Sequence, residues 1–203
     1  GASTSSLLNA VAIHGHSPRA PADASYAQHE RFPYDYCARL VREQVQHLMQ
    51  LIFTKGPGKH DTLEVIRNGM LVERIACPKQ GIIPHDMVHC AVENTLHKRG
   101  FIRRVLDGEA ASFGMEAESE SDGVERLVEV FQADGWSGWS SASTDMLDLY
   151  QVTCRARQCE PLALQADDIE AVRGEILLLS ARWRLVAVGK SLVLQFGHGS
   201  HAP

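Results

Sequence analysis

The Asn68-Gly69 dipeptide constrains the fold of this chain more than any other pair of residues. Asn and Gly together favour a type I′ turn, in which both central residues take positive φ, and such turns join adjacent antiparallel strands. Segments of strand-like composition, residues 62–67 and 70–75, flank the dipeptide. The sequence therefore predicts a β-hairpin here. Residues 49–54 have similar composition and end at a Gly-Pro-Gly loop, which predicts a further strand.

Four later segments have the apolar spacing of helices. The first is predicted to begin at Pro84 and to end before Gly100, because Pro is favoured at the first helical position and Gly just after the last. The other three carry apolar residues three or four positions apart. They lie around residues 124–131, 146–150 and 169–179.

The C-terminal region is predicted to form a second hairpin. Residues 183–188 and 191–196 flank Gly189-Lys190, and Gly at the first central position suits a type II′ turn. In that register Trp183, Leu185, Leu194 and Phe196 share one apolar face, which we expect to be buried beneath helices. The predicted class is α+β, with a mainly antiparallel sheet of about five strands and about four helices packed on one face.

Composition separates an N-terminal segment from the remainder. Residues 1–35 are rich in Ser, Ala, Pro and His and have no helix or strand period, which predicts a disordered tail. Residues 36–203 are predicted to form a single α+β domain. The net charge of −5 argues against nucleic-acid binding. No apolar run approaches the roughly 20 residues of a membrane helix, and five irregularly spaced cysteines favour reduced thiols in the cytoplasm.

The strongest chemical signal is the segment His85-Asp86-Met87-Val88-His89, which is followed by Glu93. Histidines four residues apart lie on one face of a helix and can bind the same metal ion. Over these five residues the segment resembles the H-E-x-x-H helix of zinc peptidases, with Asp86 in place of the general-base Glu. The pattern nominates His85 and His89 as zinc ligands, and Asp86 or Glu93 as a catalytic base.

Two physical arguments oppose a metal at this helix. The positive end of the helix dipole disfavours a cation near Pro84, and Glu93 lies about 12 Å along a straight helix from His85. A third ligand would have to come from elsewhere, such as His97, His60 or Cys90. The alternatives are that both histidines border the core and hydrogen-bond to loops, with no cofactor bound, or that they belong to another kind of polar site.

Two further motifs leave alternatives open. The basic, glycine-rich segment from Lys55 to His60 either connects two strands or binds an anion near Lys79 and the Pro84 helix. Trp136 and Trp139 lie in a segment rich in Ser and Gly. There they either cover an edge of the core or line a pocket.

The helix with the pattern Pro-His-Asp-x-x-His-x-x-x-Glu resembles one in a group of uncharacterised bacterial proteins. In that group an N-terminal β-meander precedes the helix and a Trp-to-Gly hairpin ends the chain. The resemblance covers residues 49–196 and implies no activity. The sequence favours a non-enzymatic binding or assembly domain of the bacterial cytoplasm, with an unidentified protein partner or self-association and no nucleic-acid or membrane partner. The alternative is a metal-dependent hydrolase that uses His85 and His89.

Overall fold

The computed structural model of the protein describes residues 49–110 and 118–197, and the predicted tail at residues 1–35 lies outside them. The described residues confirm the α+β class, with one strand fewer and one helix more than predicted. The strands are β1 (Met49–Thr54), β2 (His60–Arg67), β3 (Met70–Pro78) and β4 (Ser191–Phe196). The helices are α1 (His85–Leu96), α2 (Phe101–Leu106), α3 (Ser119–Trp136), α4 (Ser143–Arg157) and α5 (Ala166–Arg184).

The four strands form one antiparallel sheet in the order β3-β2-β1-β4. The predicted hairpin is confirmed between β2 and β3, where Asn68 has φ 52° and Gly69 has φ 75°. A β-bulge between Val65 and Ile66 shifts the pairing of these strands. Because of that shift Glu64 lies opposite Arg74 and forms an ion pair with it.

The predicted C-terminal hairpin is wrong in its first strand. Helix α5 continues through Trp183 to Arg184, and β4 pairs with β1, with Phe196 opposite Met49. The helical spacing of the buried α5 residues extends to Trp183, so that side chain is buried as part of the helix. Leu185 caps the helix and is 87% exposed, contrary to its predicted burial.

The core lies between one face of the sheet and the helices. The alternating residues Met49, Leu51 and Phe53 of β1 are fully buried, as is Phe196 of β4. Helix α1 packs against both α3 and α5, which places it at the centre of the helical layer. No helix among the described residues is both long and apolar enough to cross a membrane.

Helix α1 begins where the sequence predicts and ends earlier. Pro84 is its N-cap, and His97 closes it in the left-handed conformation with φ 53°. The chain then turns back, and Gly100 is the N-cap of the short helix α2. This reversal brings the first backbone amides of α2 to the side of α1, beside Glu93.

Candidate metal centre

Two histidines one helical turn apart form the base of the candidate centre. His85 is the first residue of α1 and His89 follows four residues later, so both imidazoles project from the same face of the helix. Their rings meet edge to face with centroids 4.8 Å apart. The two Nε2 atoms lie 3.2 Å from each other.

Glu125 of α3 completes a group of three possible ligands. Its Oε2 lies 2.9 Å from Nε2 of His89, and its Oε1 lies 3.5 Å from Nε2 of His85. The packing of α1 against α3 therefore brings together residues that are far apart in the sequence. Two imidazoles and one carboxylate are ligands that zinc and other divalent transition metals accept, so this group could hold a metal ion.

The second ring nitrogen of each histidine has its own hydrogen-bond acceptor. Nδ1 of His89 lies 3.1 Å from Oε1 of Glu93, and Nδ1 of His85 lies 3.1 Å from Oε1 of Gln132. The amide nitrogen of Gln132 donates to Gln80, which orients the amide oxygen towards His85. With a hydrogen on each Nδ1, both Nε2 atoms of the neutral rings present lone pairs to the same point.

Glu93 is fixed more firmly than any other member of the cluster. Its carboxylate is fully buried and accepts hydrogen bonds from the backbone amides of Gly100, Ile102 and Arg103 at 3.2, 3.0 and 2.9 Å. These amides compensate the buried charge. Glu93 therefore holds the ring of His89 in place through Nδ1, the ring nitrogen that faces away from the three ligand atoms.

The charges of the cluster reinforce one another. Burial opposes the charged form of His89, but hydrogen bonds to Glu125 and Glu93 outweigh this effect and raise the pKa of His89 to about 10. Burial likewise acts to raise the pKa of Glu125, whereas hydrogen bonds from His85 and His89 hold that pKa well below its usual value. The place between the three ligand atoms thus favours a positive charge strongly.

One side of the group faces solvent. The side chains of His85 and Glu125 are 29% and 34% exposed, while His89 is 2% exposed. Phe101 flanks the buried side, with its ring 5.9 Å from that of His89. An ion held by the three residues would therefore have one accessible side.

The four residues that the sequence nominates have different positions in the structure. It brings His85 and His89 together at the ligand position and places Glu93 behind His89. Asp86 points elsewhere, because its Oδ2 accepts a hydrogen bond from the thiol of Cys77 at 3.3 Å on β3. The role of Asp86 or Glu93 as a general base is thus not favoured, since Asp86 faces the sheet and Glu93 is occupied by backbone amides.

Sequence reasoning missed Glu125 and Gln132. The third ligand was sought in His97, His60 or Cys90, yet the structure brings Glu125 to that position. Glu125 and Gln132 are seven residues apart on α3, two helical turns, so both lie on the side that faces α1. The sequence does contain a signal for these two residues. It is an acidic and an amide side chain seven residues apart, next to the buried residues of an amphipathic helix.

Comparisons of the chain with protein-family models, curated proteins and solved structures find no match. The site is therefore interpreted from its own geometry.

Proposed function

We propose that the protein binds one zinc ion through His85, His89 and Glu125. The observation that carries this proposal is the close approach of the ligand groups. The two histidine Nε2 atoms lie 3.2 Å apart, and the two carboxylate oxygens of Glu125 lie 2.9 Å from Nε2 of His89 and 3.5 Å from Nε2 of His85. Two ligands about 2.0–2.1 Å from a tetrahedral zinc ion are separated by about 3.3 Å. The three side chains thus have the spacing of zinc ligands.

The outer contacts support the same assignment. Metal-binding histidines donate their second N–H to a carboxylate or carbonyl oxygen, which fixes the ring and increases the basicity of the ligand nitrogen. Glu93 and the side-chain carbonyl of Gln132 supply such acceptors to His89 and His85. The carboxylates of Glu93 and Glu125 also balance the two charges of a divalent ion, which offsets the unfavourable helix dipole.

Zinc is preferred over ferrous iron and manganese for two reasons. It has no geometric preference from d-electrons, so three ligands and one open position suit it. It also binds nitrogen and oxygen ligands more tightly than ferrous iron or manganese.

A second candidate function, metal-dependent hydrolysis, is favoured by the exposure of His85 and Glu125. Catalytic zinc sites carry three protein ligands and a water molecule, whose pKa the metal lowers to about 7. A zinc-bound water on the exposed side would be the nucleophile. If the fourth position is instead inert, the metal stabilises the packing of α1 on α3 and the protein is a non-enzymatic binding or assembly domain.

The test is zinc titration of chelator-treated protein by isothermal calorimetry, with elemental analysis of the dialysed product. We expect one zinc per chain, and loss of that site in Glu125→Gln because one of the three ligands is removed. Glu125 is partly exposed, so the variant should still fold. The matched control is Glu129→Gln, one turn further along α3, where the carboxylate pairs with Arg126. Absence of stoichiometric zinc in the wild type, or unchanged binding in Glu125→Gln, would contradict the proposal.

Hydrolysis is tested separately with activated aryl esters and phosphate esters. Zinc-loaded protein should hydrolyse at least one class faster than both the metal-free protein and Glu125→Gln. Equal rates in all three would remove the hydrolase assignment and leave zinc binding intact.

A further inference from the structure

A cavity of about 370 Å³ lies on the side of the helical layer where α5 meets the loops before α1 and after α3. This volume lies in the range of small-molecule sites. The segment of residues 81–83 forms one wall and α5 forms another. The side chains that characterise the cavity are those of Lys55, Ile82, Trp139, Ser180, Trp183 and Arg184.

Trp139 is held against the cavity in an unusual backbone conformation. Its φ is 61°, in the left-handed region that bulky residues rarely adopt. Its ring packs so closely on α3 that a Cβ at Gly135 would lie 2.7 Å from it, and Ile82 would be 3.2 Å from the same Cβ. A strained residue that presents an indole to a cavity is a feature typical of ligand sites.

Two cations line the same space. Nζ of Lys55 donates to the backbone oxygen of Trp183 at 2.7 Å and lies 4.7 Å from the centre of the Trp183 ring. The ammonium group carries three donors, and this is its one hydrogen bond to the part of the chain that the structure describes. Arg184 is exposed, and within residues 49–110 and 118–197 neither cation forms an ion pair with a carboxylate.

Ser180 contributes a hydroxyl group to the lining of the cavity. Its Oγ is buried and has no hydrogen-bond partner among the described residues. An unsatisfied buried hydroxyl is unfavourable unless a ligand or water engages it. Because Ser180 and Arg184 are four residues apart on α5, the hydroxyl and the guanidinium project from the same face of the helix.

From these four observations we propose that the cavity binds a small planar organic anion, of the class of the aromatic carboxylates. The indole of Trp139 supplies a flat apolar surface for a ring. Arg184 and Lys55 supply charge-assisted hydrogen bonds for the carboxylate, and the hydroxyl of Ser180 supplies a further donor.

This site does not depend on the metal centre. None of the three metal-binding residues lines the cavity. The two sites are nevertheless close in the sequence, because residues 81–83 line the cavity and Pro84 and His85 follow directly.

The test uses 2-naphthoate as the probe and isothermal calorimetry on the full chain in the presence of a chelator. We expect one saturable site, and binding at least about tenfold weaker for the neutral isostere 2-naphthamide, as expected when a charged hydrogen bond is lost. Arg184→Gln, an exposed change that leaves the core intact, should weaken 2-naphthoate binding by a similar factor. Trp139→Leu should weaken both compounds.

The matched control is Arg182→Gln, on the same helix but lining a different depression, over β4. It should bind 2-naphthoate as the wild type does. The proposal is overturned if 2-naphthoate shows no saturation at millimolar concentration, if the amide binds equally well, if Arg184→Gln has no effect, or if Arg182→Gln has the same effect as Arg184→Gln.

Discussion

The backbone of Gly100 lies so close to the carboxylate of Glu93 that a Cβ added at residue 100 would be 2.6 Å from Oε1. Only glycine leaves room for Glu93 to reach the amides at the start of α2 while its other side contacts His89. The loop between α1 and α2 therefore sets the position of a residue that would orient a zinc ligand.

Gly100→Ala should consequently weaken zinc binding without removing any ligand. Outer-shell changes typically reduce metal affinity by about 10–100-fold, and we expect an effect in that range because Glu93 must move away from His89. The control is Gly58→Ala, where an added Cβ meets no atom within 4 Å. Competition with a chromophoric chelator measures both, and equal zinc affinities would show that the position of Glu93 does not matter.

Zinc binding should release a proton and strengthen as the pH rises. In the metal-free protein the pKa of His89 is raised to about 10, so its ring is protonated at pH 7. A metal ion must displace that proton, and zinc affinity should increase with pH up to about 10. Calorimetry at pH 7 in buffers of different ionisation enthalpy should yield about one proton released from the site, and no release would contradict the assigned charge state.

The packing of Trp139 on α3 predicts opposite effects of alanine at two helical glycines. At Gly135 the new Cβ would meet the Trp139 ring at 2.7 Å, and the overpacking should destabilise the protein by about 1–3 kcal/mol. At Gly174 on α5 no atom lies within 4 Å, so alanine should stabilise by about 0.4–1 kcal/mol. Chemical denaturation of the two variants gives the sign of each effect, and a stable Gly135→Ala would mean that the ring is free to move.

Alanine substitutions at two leucines distinguish the helical end of α5 from the hairpin that the sequence predicts. Leu179 is 3% exposed and Leu185 is 87% exposed. We expect Leu179→Ala to reduce the free energy of unfolding by about 2–5 kcal/mol, and Leu185→Ala to change it by less than about 0.5 kcal/mol. In a hairpin Leu185 would face the core, so a large loss in Leu185→Ala would contradict the helix.

Short sequence motifs correctly predicted the elements whose backbone conformation depends on the residues of the motif itself. Asn68-Gly69 determines its own turn because both residues must take positive φ, and Pro84 determines the start of α1. The end of α5 was mispredicted because residues 183–188 are rich in apolar side chains and precede a Gly-Lys turn signal. The helical spacing that continues to Trp183 prevails once that face packs on the core. Strand β4 then pairs with β1, a partner far away in the sequence.

Two of the three candidate ligands were predictable from the sequence. His85 and His89 are one turn apart on one helix, so their spacing alone places them together. Glu125 reaches them only because α3 packs on α1. Glu93 follows His89 by four residues on α1, so their contact accords with helical spacing. The backbone amides that bind the Glu93 carboxylate come together only through the reversal of the chain at Gly100.

X-ray absorption at the zinc edge of the reconstituted protein tests the central claim most directly. Our account predicts two imidazole nitrogens and carboxylate or water oxygens at about 2.0–2.1 Å, with no sulfur at about 2.3 Å. The spectrum should lose this pattern in Glu125→Gln and retain it in Glu129→Gln. A sulfur shell, which would point to the cysteines, or a wild-type spectrum without imidazole would contradict the assignment of His85, His89 and Glu125.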